Sequence, residues 1–324
     1  MSNFVKPEGV DSYEDFQRKL NVIANSSDFI WRGQKRDLDW PLNATLSRYR
    51  QDALAKIKKN GTWNWTDEKR IESFMNDYSE NLKKIAGKKC PDQGEEEIFW
   101  AWAQHIGAPT HLLDWTECPY TALFFAWAGE EDSSTGKNAP PCSRVVYGLN
   151  KKIIDKRNEE LCKEKGSKYK NKYTFFKVIN ILRDGNPRCE AQKGVFSQGP
   201  LVVASRNCSG AKYRYSFLEE ESRSKSAIIE WVEEYCSSEV EPVIYKFVFS
   251  PLSYGTYPEV TKKALSKITG IACQNMQKDD LSKREDILKK LYSRGVGYLT
   301  LFPDEYGIAE HAKLQLTVKD YGNN

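Results

Sequence analysis

Residues 103–129 read AQHIGAPTHLLDWTECPYTALFFAWAG, and the way this stretch folds decides the rest. It is the least polar part of a chain whose mean hydropathy is -0.67. Even so, it holds His105 and His111, the aspartate Asp114 and the tryptophan Trp115. The segment PTHLLDWT is extended by its proline and its aliphatic residues. PYTALFFAWAG begins a helix at Pro119, where proline's missing N–H is not needed. That helix is apolar on nearly every side, so it has to be central. The stretch therefore reads as two things: a core helix over Ala122 to Ala128, and a polar rim over Gln104 to Thr116.

Upstream, DSYEDFQRKLNVIAN predicts a helix with a capping-box-like Ser12-x-x-Asp15 and with Phe16, Leu20 and Ile23 on one face. SSDFIWRGQ predicts a short strand with Arg32 near its end and Gly33 free in conformation. Glu68 to Lys88 predicts an amphipathic helix with Ile71, Phe74, Met75, Tyr78 and Leu82 inward. GEEEIFWAWAQHIG predicts another, with its acidic end toward the N-terminus and Gly107 as the stop.

Downstream, SRVVYGLN reads as a strand, and the lysine-rich stretch over 151–172 as a charged surface insertion. YTFFKVINIL follows, then a turn at Asn186-Pro187 and CEAQKGVFSQGPLVVA with strand character. PVIYKFVFSP alternates best, with Val243, Tyr245, Phe247 and Phe249 on one face. KREDILKKLYSRG predicts a helix leading to a last strand, GYLTLFPDEYG. Strands and helices mix without strict βαβ order, so the fold class is α+β with a mixed or antiparallel sheet and helical insertions, in one domain over 1–324.

Composition narrows the function classes. The 12% aromatic content argues for a packed globule rather than disorder. No apolar run approaches the roughly 18 residues of a membrane span, and the first residues lack a secretory layout, so the reading is cytoplasmic with no membrane partner. Eight cysteines are scattered singly with no CxxC pair, which disfavours a zinc site or a disulfide framework and reads as reduced, mostly buried thiols. A net charge of +4 does not by itself point to nucleic acid. There is no phosphate-binding GxxxxGK[ST] loop, no GxGxxG, no GxSxG elbow and no HExxH. No metal set emerges from His105 and His111.

Four separated fragments resemble one family: WRGQ at 31–34, AQHIGAPTHLLDWTECPYTALFFA at 103–126, NPRCEAQKGVF at 186–196 and LFPDEYGIAEHA at 301–312. They are similar to the signature of the FRG domain, named for a Phe-Arg-Gly motif that is Trp-Arg-Gly here. His111 stands where an arginine is common before Leu-Leu-Asp-Trp, and Ile106 where an aromatic is usual. The family layout in turn resembles ADP-ribosyltransferases: an arginine-glycine pair on the first strand, a strand motif running into a helix, and a late strand supplying an acid. The resemblance implies a single ADP-ribosyltransferase-like domain with NAD as substrate. It also implies a bacterial toxin or phage-defence setting, with an inhibitory antitoxin protein as a possible partner.

The chemistry fits that implication. Cleaving NAD between nicotinamide and ribose needs a grip on a pyrophosphate, a rigidly held ring, and stabilisation of the positive charge that develops on the ribose. Arg32 supplies a planar fork suited to phosphate. Gly33 would let backbone approach the nicotinamide amide, Trp31 or Trp115 would give an aromatic wall, and Gln34, Gln104, Thr116 and Gln192 would contact the ligand. The carboxylate that stabilises the ribose is Asp114 or Glu190 first, then Asp304 or Glu305 at the last strand, with His105 beside them. Each has a structural alternative: an ion pair for Arg32, a cap for Asp114, helix carbonyls for His105. The acceptor is a macromolecule. The lysine stretch and GAKYRYSF at 210–217 would suit single-stranded RNA or DNA. The rival readings are a non-catalytic nucleotide- or partner-binding module, and a metal-dependent nuclease or hydrolase using Asp114, His105 and Glu190.

Overall fold

The computed structural model describes residues 4–23, 26–35, 42–46, 68–91, 96–128, 143–165, 176–180, 186–199, 203–204, 213–214, 227–249, 270–318 and 320–322. Strand β1 (Val5–Gly9) leads into helix α1 (Tyr13–Asn21), where the Ser12 hydroxyl accepts from the Asp15 amide at 3.1 Å. Phe16, Leu20 and Ile23 are all buried, on the face the spacing predicted. Strand β2 (Phe29–Gln34) follows, then helices α2 (Glu68–Ala86) and α3 (Glu96–His105). Met75 is buried in α2 with Phe74, Tyr78 and Leu82 packed beside it, while the side chain of Ile71 lies outside the described residues. The remaining strands are β3 (Leu112–Thr116), β4 (Arg144–Asn150), β5 (Lys177–Ile179), β6 (Gly194–Gln198), β7 (Val203–Ala204), β8 (Tyr213–Arg214) and β9 (Ile244–Phe249). The remaining helices are α4 (Pro119–Trp127), α5 (Lys151–Lys165), α6 (Pro187–Ala191), α7 (Ala227–Tyr235), α8 (Gly270–Ser293), α9 (Tyr298–Leu301) and α10 (Glu305–Thr317).

The fold is α+β around a mixed seven-stranded sheet ordered β1-β9-β4-β2-β3-β6-β5. Among the described strands of this sheet only β1 with β9 is parallel; the other pairs are antiparallel. Each face carries its own core. On one, Phe29, Trp31, Val146, Phe247 and Phe249 meet α4, α8 and α9. On the other, Ile30, Leu113, Trp115, Val145, Tyr147 and Leu149 meet α5 and α7. Being covered on both sides, β4 has no exposed residue, the expected behaviour of a central strand. A third cluster, with Met75, Phe99, Trp100, Ala103 and Leu112, seats α2 and α3 at the start of β3.

The non-polar α4 is central for a stated reason. It rests on β2 so closely that a Cβ on Gly33 would stand 1.8 Å from the carbonyl oxygen of Ala122. Its outer side is covered by Ile287, Leu288, Leu291 and Tyr298.

Four expectations change. The segment GYLTLFPDEYG is not a strand: Gly297 caps α9, and the Asp304 carboxylate accepts from the Gly307 amide at 3.3 Å to cap α10. Tyr298 and Leu301 are buried while Leu299 and Thr300 are exposed, and that three-residue spacing is helical rather than alternating. The strand character read into CEAQ gives way to α6, because Asn186 accepts from the Cys189 amide at 3.1 Å and Pro187 opens the turn. The lysine-rich insertion is, over 151–165, helix α5, with Ile153, Ile154 and Leu161 buried beneath its charged outer face; 166–172 lie outside the described residues. Among the five described free cysteines only Cys236 is buried. Within 210–217, Tyr213 and Arg214 pair as β8 with β7, and the rest lies outside the described residues.

Replacing Gly33 with alanine forces α4 off β2, so Gly33→Ala should lose about 3 kcal/mol in urea unfolding or fail to fold. Unchanged stability would refute this packing account. Burial holds the His311 imidazole, packed against Tyr292 and Tyr321, below its ordinary value of 6.5. The unfolded chain then takes up a proton that the folded chain refuses. This contribution is complete above 6.5 and is lost as pH falls through the lower folded value. Unfolding measured from pH 7.5 downward should show that decline, and His311→Gln should lose that part of the slope.

Candidate functional site

Strand β2 pairs with β4 along its whole length, from Phe29 to Gln34, and β3 pairs with β6 from Leu112 to Thr116. The two halves of the sheet meet through one bridge, Trp31 opposite Thr116. There the ladder stops. In its place the Nη1 of Arg32 donates to the main-chain carbonyl of Asp114 at 2.6 Å, joining residues 82 positions apart. Strand alternation puts Asp114 on the face of Trp31 and Thr116, and the root of Arg32 on the other. The guanidinium reaches Asp114 through the interruption, at the main chain.

Asp114 is exposed in an otherwise buried strand. Its Oδ1 accepts from the Nε2 of Gln104 at 2.6 Å. Gln104 is near the C-terminal end of α3, which Gly107 closes at φ 85. The Gln104 Oε1 accepts from the hydroxyl of Thr110, which itself accepts from the Leu112 amide at 3.3 Å. At the far end of β3 the Thr116 hydroxyl donates to the carbonyl of Gln192 at 2.6 Å and accepts from the Cys118 amide at 3.0 Å. The Gln192 Nε2 donates to the Leu301 carbonyl at 3.1 Å, so β3, the turn after α6 and α9 are tied together.

The sequence candidates separate into three groups. Arg32, Gln104 and Asp114 converge at the interruption. Thr116 and Gln192 are joined beside it, but through a hydroxyl and a main-chain carbonyl. Trp31, Trp115, Gly33 and Gln34 are inside the fold. Trp31 packs at a tilt against Phe29 and Phe247; the indole of Trp115 donates to Ser197 at 2.7 Å; Gly33 lies against Ala122; Gln34 is buried. The aromatic wall and the open glycine anticipated at these positions are core packing instead. His105 is exposed at the end of α3 and Glu190 exposed on α6. Asp304 pairs with Arg188, whose guanidinium holds that carboxyl below the ordinary carboxylate value, and Arg188 also lies over the rings of Phe302 and Tyr306. Glu305 follows in the first turn of α10.

Sequence reasoning missed Thr110. The signal was present, a small hydroxyl residue between Pro109 and an apolar strand, but its partner Gln104 is fixed only by the turn at Gly107. Among the described residues no group of three or more His, Cys, Asp and Glu side chains converges on one point, and no helix is long and apolar enough to cross a membrane.

Thr116 is buried and its hydroxyl serves two main-chain groups. Thr116→Val keeps the shape and strands both, so it should cost about 2 kcal/mol in urea unfolding. A loss within error of zero would remove Thr116 as the tie between β3 and α6.

Comparisons with curated proteins and with solved structures found no match. The family model of the FRG domain matches residues 27–135. The matched span includes β2, α3, β3 and α4, and hence Arg32, Gln104 and Asp114. Its strands β2 and β3 pair with β4 and β6 from beyond it. The fragments at 186–196 and 301–312 fall outside the match. On the match and on the residues that carry it, residues 27–135 of this chain carry an FRG domain.

Proposed function

We propose that the interruption between β2 and β3 binds NAD and that the protein transfers ADP-ribose from it to a macromolecule. The observation that carries this reading is the meeting of Arg32 with Asp114 where the ladder stops. Arg32 contacts the pyrophosphate, for which a planar guanidinium is suited. Asp114, exposed and oriented by Gln104, faces the ribose. The bond from the ribose C1′ to the nicotinamide nitrogen breaks, and its electron pair leaves with the neutral ring, so no general acid is required. A nucleophilic oxygen or nitrogen of the acceptor forms the new bond to C1′ and gives up its proton to solvent water. The Asp114 carboxylate stabilises the positive charge that peaks on the ribose in between.

The acceptor class favoured by the basic and aromatic composition is single-stranded RNA or DNA, and the setting is cytoplasmic, with an inhibitor protein wherever the activity harms its own host. Glu190, on an exposed turn, and Asp304, occupied by Arg188, are weaker acids for the ribose than Asp114.

The purified chain, given NAD and single-stranded RNA or DNA, should release nicotinamide. Arg32→Ala and Asp114→Asn should each lower that rate by about 100-fold or more, Asp114→Asn at an unchanged urea midpoint and Arg32→Ala with a loss of about 1 kcal/mol for its bond to the Asp114 carbonyl. NAD binding without release would identify a non-catalytic module, and a metal-dependent cut of the nucleic acid without NAD would identify a hydrolase.

A further inference from the structure

Asp114 stands at the end of a chain of hydrogen bonds whose direction is set from the carboxylate end, since a carboxylate oxygen accepts and a threonine hydroxyl can do either. The Leu112 amide can only donate, and it donates to the Thr110 hydroxyl at 3.3 Å. The proton of that hydroxyl goes to Gln104 Oε1. The Gln104 amide turns Nε2 toward Asp114 Oδ1, at 2.6 Å, and the Thr110 hydroxyl holds it there from the oxygen end. The reverse orientation would set an amide oxygen against a carboxylate oxygen, which repel. Thr110 is fully buried, and its main-chain carbonyl accepts from the Leu46 amide at 2.9 Å, so the first member of the chain cannot drift.

An exposed aspartate on a short strand ordinarily turns about its last torsion at little cost. Here one oxygen is occupied, and Oδ2 meets no partner among the described residues. The charge is held in one direction before any substrate arrives, which is what electrostatic stabilisation of a developing cation needs.

We infer that Thr110 and Gln104 are positioning residues for Asp114: Thr110 holds the Gln104 amide in place from its oxygen end, and Gln104 fixes the plane of the carboxylate and leaves Oδ2 for the ribose. The catalytic part of this rests on the proposed NAD chemistry; the orienting part does not. Gln104, whose Oε1 and Nε2 both have protein partners, therefore serves Asp114 rather than the ligand.

The test uses the full chain in three variants: Thr110→Val, which keeps the shape and removes the hydroxyl; Thr110→Ser, which restores it; and Gln104→Met, which breaks both bonds without touching the Leu112 amide. The first readout is the side-chain amide resonance pair of Gln104. In the wild type and Thr110→Ser one proton should be shifted and slow to exchange, as a carboxylate-bound N–H is, and in Thr110→Val the pair should move to the position of a free glutamine. The second readout is nicotinamide release. Thr110→Val and Gln104→Met should lower kcat about 10-fold with KM for NAD within about twofold, and Thr110→Ser should recover most of the loss.

An unchanged Gln104 resonance in Thr110→Val overturns the relay, as does a serine variant as impaired as the valine one. If Thr110→Val does not fold, Gln104→Met decides: an unchanged kcat there overturns the inference. If the wild type releases no nicotinamide, the NAD reading has failed, and the resonance comparison still decides whether Thr110 orients Gln104.

Discussion

Helix α4 lies so close on β2 that there is room for a hydrogen atom and nothing more between Gly33 and the carbonyl of Ala122. The rest of the site depends on that contact. It brings the apolar helix into the middle of the molecule, and it fixes the height of β2 at Gly33, which is flanked by Arg32 and the buried Gln34. A second close fit supports it on the neighbouring strand: the ring of Trp31 covers Gly148 of β4, where a Cβ would stand 2.5 Å from it. Trp31, Gly33 and Gln34 of the Trp-Arg-Gly-Gln motif are thus inside the fold. They hold Arg32, the half-buried member, at the point where the sheet's ladder is interrupted.

Strand β3 is the counterpart. It is tied to β6 along its whole length and to β2 by one bridge, so its open side has main-chain groups that the sheet does not satisfy. Arg32 takes the Asp114 carbonyl. That bond is exposed, so it contributes about 1 kcal/mol, and a side chain serves the carbonyl where a neighbouring strand would otherwise do so. An arginine that bridges two strands through their backbone is an anchor for the fold and a donor fork at the opening at once. The exposed carboxylate of Asp114 is held from the other side by α3, a helix seated on β3 through Phe99, Trp100, Ala103 and Leu112.

Much of this was legible in the sequence. The helix from Pro119 announced its central place by its lack of polar surface, and α1 by Ser12 and the spacing of Phe16 and Leu20. Arg32, Gln104 and Asp114 were selected through the fragments that resemble the FRG signature and the ADP-ribosyltransferase layout. The errors have particular causes. GYLTLFPDEYG alternates well enough to pass for a strand, but Gly297 and Asp304 are helix caps, and capping overrides a short alternating pattern. Trp31 and Trp115 looked like walls of a pocket because composition cannot say which face of a strand is covered, and both faces of this sheet are. The lysines of α5 hid three buried aliphatics, since a charged outer face and a core-facing stripe coexist on one helix.

By itself the sequence determined the elements with strong local signals: the capped helices, the alternating strand at 244–249, the apolar helix in the centre and the family to which residues 27–135 belong. Local signals suffice there because capping and periodicity act within a few residues. Only the tertiary structure decided that β2 and β3 share a single bridge, that Arg32 meets Asp114 across 82 positions, and that Thr110 bonds to Gln104. Those facts depend on strand order and on the depth of α4 over Gly33, and no spacing along the chain encodes how two strands part when a helix is pressed against one of them.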